Sequence, residues 1–100
     1  MSFRDHIAAD RRLCILRLLV DDGGHANESV VETVLEQLGH RAGLERSVVR
    51  QYLRDLEQVG CITIDYYRDK IMVASITERG VKVARGQVTV DGVKQPSLGA

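Results

Sequence analysis

Apolar positions recur along this chain with a period that changes from helical to alternating and back, and the changes divide it into elements. Residues 3 to 20 carry a helical pattern with Ile7, Cys14, Ile15 and Leu18 on one stripe, stopped by Asp21-Asp22-Gly23-Gly24. Acidic residues there oppose the helix macrodipole and favour termination. A second stripe of Leu13, Leu16 and Val20 lies on the opposite side, with Leu19 between the two. A helix apolar nearly all round must be buried nearly all round, either sandwiched at the centre of the protein or at a dimer interface. A second helix is predicted from Glu28 to Leu38, with Val30, Val31, Val34, Leu35 and Leu38 inward. Its cap is Asn27, which places Glu28 in the first turn, or Ser29, which forms an S-x-x-E capping box with Glu32. Gly39 suits the position past its end.

The run LERSVVRQYLRDLEQVGCI, from Leu44 to Ile62, predicts a third helix with two chemically opposed faces. At about 100° per residue, Val48, Val49, Tyr52, Leu56 and Val59 share one side, and Ser47, Arg50, Gln51, Arg54 and Gln58 the other. The second set can read nucleic acid, since Arg forks onto guanine, Gln onto adenine, and Ser donates to phosphate or base. After Gly60 the pattern alternates, and two strands, Cys61 to Tyr67 and Lys70 to Ile76, are predicted around Arg68-Asp69. Alternation turns one of Tyr66 and Tyr67 toward the core. Thr77 caps a short helix through Ala84, in which Gly80 costs about 1 kcal/mol relative to Ala by helix propensity. Residues 1–86 form the domain; residues 87–100 form a tail, with a short hairpin at Asp91-Gly92 between Val88-Val90 and Val93, then a loose end after Pro96.

This order of elements predicts an α+β, mainly α fold: a winged helix-turn-helix with three helices, a two-strand wing and a short C-terminal helix. The residues Leu44, Ser47-Val48 and Leu53-x-x-Leu56-x-x-x-Gly60 are similar to the recognition helix and first wing strand of ArsR, MarR and PadR-type bacterial regulators. Ile76-Thr77-x-x-Gly80 looks like the L-T-x-x-G that follows the wing in those families. The whole chain, with its ending G-x-V-x-V-x-G-V-x-x-P, also resembles small winged-helix proteins of Mu-like phages and prophages. That resemblance implies a regulatory or accessory role in the cytoplasm of a bacterial host. The connection from Gly39 to Gly43 departs from the tight turn of a compact helix-turn-helix.

Composition narrows the function. One hundred residues, 44% of them apolar, suit one small domain. The charged N-terminal segment and the shortness of every apolar run speak against a signal peptide or a membrane span. Cys14 and Cys61 make no disulfide framework and read as small buried hydrophobes, while His6, His25 and His40 read as surface or loop residues, with His40 able to touch phosphate when protonated. Without a C-x-C pair or two ligands at i, i+4 on one helix, neither metal sensing nor any cofactor is expected. No phosphate-binding glycine loop or nucleophile elbow occurs, so catalysis is not expected either.

The expected activity is therefore binding of double-stranded DNA by a homodimeric transcriptional regulator. Arg50, Gln51 and Arg54 would face base edges, Ser47 phosphate, and Gln58 the end of the same face. Arg41, Arg46, Arg68 and Lys70 would clamp the backbone. Leu13, Leu16 and Val20 would form the dimer interface, aided by the Val88 to Val93 tail, giving half-sites about 10 bp apart or a multiple of that. Formal net charge is zero, with fourteen basic and fourteen acidic residues, so affinity needs local charge separation. The alternative is a winged-helix module that binds protein, as a phage accessory or assembly adaptor. Cations free of Glu28, Glu32 and Glu36 would support DNA binding; intruding acid would support the adaptor.

Overall fold

The computed structural model describes residues 2–97. Helix α1 (Phe3–Asp21) begins at a reciprocal cap: Ser2 Oγ accepts the Asp5 amide at 3.2 Å, and Asp5 accepts the Ser2 amide at 3.3 Å. These bonds hold the Asp5 carboxyl below its usual pKa. Strand β1 (His25–Asn27) follows, then α2 (Glu28–Gln37), α3 (Arg46–Gln58), β2 (Ile62–Tyr67), β3 (Ile71–Ile76) and α4 (Glu78–Ala84). Asn27, not Ser29, caps α2, its Oδ1 accepting the Val30 amide at 2.9 Å. Thr77 caps α4 as expected, its hydroxyl accepting the Gly80 amide at 3.0 Å.

The sheet has three antiparallel strands in the order β1-β3-β2, rather than a two-strand wing alone. Strand β1 is three residues long, too short for alternation to show in the sequence. It joins through His25↔Ser75 and Asn27↔Val73, so the segment entering α2 is sewn to the root of the wing. The layout is that of a winged helix-turn-helix. Toward the wing tip β2 and β3 outrun the core, and Tyr66 and Tyr67 are 51% and 56% exposed. Alternation holds, with Tyr66 on the core-side face opposite buried Met72 and Tyr67 on the other face, but near the strand end both stay about half exposed. Arg68 and Asp69 make the turn with φ of 52° and 57°.

Helix α1 is the sandwiched central helix. Leu13, Ile15, Leu16 and Leu19 are buried within the single chain, Val20 is half-buried, and α1 packs on α2, α3, α4 and β3. This corrects the expected dimer interface: Leu13 and Leu16 already have intramolecular neighbours and cannot also cover a second copy. Of the five apolar residues expected inward on α2, only Val31 and Leu35 are fully buried; Val34 is half-buried and Val30 and Leu38 are exposed, since a ten-residue helix covering one side of α1 has room for a narrow stripe. The segment after Gly86 forms no hairpin among the described residues. It wraps α1 as irregular chain, with Val90 and Val93 joining the core and the Lys94 amide donating to Ala9 O at 3.1 Å. The expected loose end falls mostly on residues 98–100, outside the described residues. Among the described residues, no helix is long and apolar enough to cross a membrane.

Candidate nucleic-acid interface on helix α3 and the wing

Val49, Tyr52, Leu53 and Leu56 anchor α3 on the core. At about 100° per residue, the mean direction of Ser47, Gln51, Arg54 and Gln58 lies about 180° from that of the four anchors. All four polar residues are exposed. They form an outward stripe whose only formal charge is Arg54, and Arg54 makes no ion pair among the described residues. Gln51 leans along the helix, donating from Nε2 to Asp55 Oδ1 at 2.9 Å.

Arg46 and Arg50, expected at phosphate and base edges, lie on the flank facing α2 and the wing. Acid intrudes there. Arg46 donates to Glu32 Oε1 at 2.9 Å and lies 3.5 Å from Glu28 Oε1; these pairings, Glu32 first, push its pKa up. Arg50 Nε is 3.3 Å from Glu28 Oε1, close enough for charge attraction but not aligned as a hydrogen bond, and its Nη2 donates to Lys70 O at 3.0 Å. Glu28 is itself 4% exposed, and its Oε2 accepts the Met72 amide at 2.6 Å. A buried carboxylate requires compensating charge and hydrogen bonds, and Arg46, Arg50 and Met72 supply them. Arg50 is thereby a strut between α2, α3 and the wing turn rather than a free reader of base edges.

The remaining acids of α3 are also engaged. Asp55 pairs with Arg12 at 2.8 Å, and Glu57 accepts the Ile64 amide at 3.1 Å. On the wing, Arg68 lies over the Tyr67 ring at 5.3 Å, and Arg68 and Lys70 are exposed without ion pairs among the described residues. Arg41 is exposed on the connection between α2 and α3, its Nε donating to Glu36 O at 3.1 Å. That connection, residues 38–45, is fixed by a residue the sequence pattern did not single out. Arg11 is 5% exposed on α1 and donates to Ala42 O at 2.8 Å and to the Tyr52 hydroxyl at 3.1 Å. Arg12 adds a bond to Gly92 O at 2.9 Å and stacks 5.4 Å from the Tyr52 ring centre. The pose of α3 is thus set from α1 by two arginines, despite the long connection.

Comparison with known proteins supplies the kinship. The chain is 39% identical over 92 residues to the uncharacterized protein gp26 of Escherichia phage Mu, spanning 92% of this chain and 93% of that protein. The chain belongs to the phage Mu gp26 family. A Haemophilus influenzae member, also an uncharacterized protein, is 43% identical over 82 residues, 82% of this chain and 78% of its own length. No described family profile and no solved structure matches the chain. The expected likeness to Mu-like phage proteins is therefore shown, and the likeness to ArsR, MarR and PadR regulators extends to layout alone.

Elsewhere in this gp26-family chain, the expected surface residue His40 is half-buried and turned toward α1. Its Nε2 lies 3.6 Å from Asp10 Oδ2 and 3.8 Å from Cys14 Sγ. Desolvation, and then the Asp10 charge, push the Cys14 thiol pKa up. Asp10 and Cys14 stand four apart on α1, which corrects the expectation that no helix carries two potential ligands at that spacing.

Proposed function

We propose that this phage-family protein binds double-stranded DNA through the α3 stripe and the wing, as a small regulator. The observation that carries the reading is the set Ser47, Gln51, Arg54 and Gln58, held opposite the core beside a projecting wing whose turn bears Arg68 and Lys70. Each stripe residue carries groups that match base edges or phosphate, and an α-helix with such a face fits the major groove. Base reading falls to Gln51 and Arg54, with Ser47 and Gln58 at the ends, and Arg46 and Arg50 serve the scaffold. Three cations without ion pairs among the described residues, Arg41, Arg68 and Lys70, would then meet phosphate. A log–log salt slope of about −3 follows, against about −5 if Arg46 and Arg50 also met phosphates.

The test is fluorescence anisotropy against duplexes selected from a random pool, titrated across salt. Preference for one sequence, a slope near −3, and relaxed preference in Arg54→Ala at a cost of about 1 to 3 kcal/mol are expected, with Arg68→Ala weakening all sequences alike. No binding at about 50 mM salt, where phosphate contacts are strongest, would overturn the reading. A second reading, a protein-binding adaptor, is favoured by the acid that neutralises Arg46 and Arg50 and by the exposed Tyr66, Tyr67 and Ile71 near the wing tip. Failure to bind DNA combined with specific capture of a phage protein through those three side chains would establish it.

A further inference from the structure

We infer that Asp10, Cys14 and His40 form a binding site for a divalent transition-metal ion of the zinc type. Carboxylate oxygen, thiol sulfur and imidazole nitrogen from the three residues all lie within 4.8 Å of one another. In a tetrahedral zinc site, bond lengths of about 2.0 to 2.3 Å place neighbouring ligand atoms about 3.3 to 3.6 Å apart. The observed 3.6 Å from His40 Nε2 to Asp10 Oδ2 and 3.8 Å to Cys14 Sγ lie within a few tenths of an ångström of that spacing. Both contacts of His40 are therefore near ligand spacing, and the Asp10 and Cys14 atoms, within 4.8 Å of each other, close on a shared ion by side-chain rotation.

The backbone explains the convergence. Asp10 and Cys14 are one helical turn apart and share a face of α1. His40 is delivered to that face by the connection 38–45, which Arg11 ties to α1 through Ala42 O at 2.8 Å. The chemistry selects the ion. One sulfur, one nitrogen and one oxygen suit zinc or its cobalt surrogate, whereas magnesium and calcium require oxygen sets. Three protein ligands leave a fourth position for water, and the Asp10 side chain, 38% exposed, keeps that side open to solvent. Two cations stand nearby: Lys94 Nζ is 3.9 Å from the other Asp10 oxygen, and Arg17 acts on Cys14. Lys94 is 53% exposed at its side chain and turns out to water when an ion arrives. On binding, the Cys14 thiol releases its proton to solvent and the thiolate becomes the ligand. The bound ion would cross-link α1 to the segment that enters α3, giving metal availability a hold on the pose of the recognition stripe.

The experiment uses untagged, chelator-stripped protein titrated with Co2+ and followed by absorption. A thiolate-to-cobalt charge-transfer band saturating at one equivalent, and bleached by Zn2+, is expected. Cys14→Ala should abolish the band, and His40→Gln, at a half-buried position on the connection between α2 and α3, should weaken affinity by at least about 100-fold, the upper range for losing even an outer-sphere partner. Cys61→Ala should keep the band, because Cys61 is buried away from the cluster. Far-UV circular dichroism confirms that each variant is folded. Absence of the band in the parent protein, or its persistence in folded Cys14→Ala or at unchanged affinity in His40→Gln, would overturn the site.

Discussion

Replacing Gly80 by Ala sets two opposing effects against each other, and the structure decides their balance. Gly80 lies inside α4, where helix propensity alone predicts that Ala stabilises by about 1 kcal/mol. A Cβ at this position would overlap the Cys61 carbonyl oxygen and approach Ile76 Cγ1 to 2.8 Å. The oxygen is backbone and cannot swing aside. It also accepts the Thr77 amide at 3.0 Å, at the cap of the same helix, so displacing it strains that bond as well. Overpacking costs about 1 to 3 kcal/mol, and a weakened capping hydrogen bond about 1 kcal/mol more. After the propensity gain, Gly80→Ala should destabilise by about 2 kcal/mol, lowering Tm by about 8 to 16 °C in a domain of this size. Thermal melts followed by circular dichroism measure it, with the exposed Lys82→Ala in the same helix as a control expected within about 0.5 kcal/mol of the parent. A Gly80→Ala protein that melts at or above the parent temperature would refute the close approach of α4 to the wing root.

Two further perturbations test the scaffold. Glu28→Ala removes the acceptor of the Met72 amide and the counter-charge of Arg50, and should cost about 3 kcal/mol in urea denaturation, whereas Glu32→Ala, which loses a partly exposed pair and no backbone partner, should cost under about 1 kcal/mol; equal losses would contradict the role assigned to Glu28. Leu16→Asp places a carboxylate at a position with no solvent exposure and should abolish the cooperative melt, since a cost above about 4 kcal/mol consumes most of a small domain's stability; a folded monomer by sedimentation would instead restore Leu16 to a dimer interface.

The parts of this fold that were legible in sequence are those where a local rule has one answer. Thr77 followed by Gly80 reads as a helix start, and the structure adds that the glycine is needed for contact with the Cys61 carbonyl. The motif therefore encodes a packing of helix on strand as well as a cap. Likewise Gly60, at φ of 80°, ends α3 where the apolar period stops. What stayed hidden depends on pairs distant in sequence. Glu28 and Arg50 each look like an ordinary solvated charge until α2 and α3 cross, and the pattern of Tyr66 and Tyr67 cannot tell that the core ends before the wing does. The candidate cluster shows both cases at once. Asp10 and Cys14 were readable as a pair at one helical turn, but His40, 26 residues beyond Cys14, joins them only through the connection that Arg11 holds.

The ion pairs at Glu28 bear directly on how any DNA would be met. A phosphate approaching Arg46 or Arg50 would have to compete with a carboxylate that is almost fully buried and hydrogen-bonded to the wing root at Met72. Drawing both arginines away would leave that carboxylate without counter-charge, a penalty of several kcal/mol that two phosphate contacts, worth about 1.5 to 3 kcal/mol each as charged hydrogen bonds, at best cancel. The two arginines are therefore committed to the junction of α2, α3 and β3, and the angle between α3 and the wing is fixed by an electrostatic node inside the fold. With that flank neutral, any base discrimination would rest on the outward stripe, where Gln51 would have to give up its bond to Asp55 to reach a base while Arg54 has no such bond to break among the described residues. Arg54 is consequently the side chain whose loss should separate a sequence-reading protein from one that presents the same helix to a protein partner.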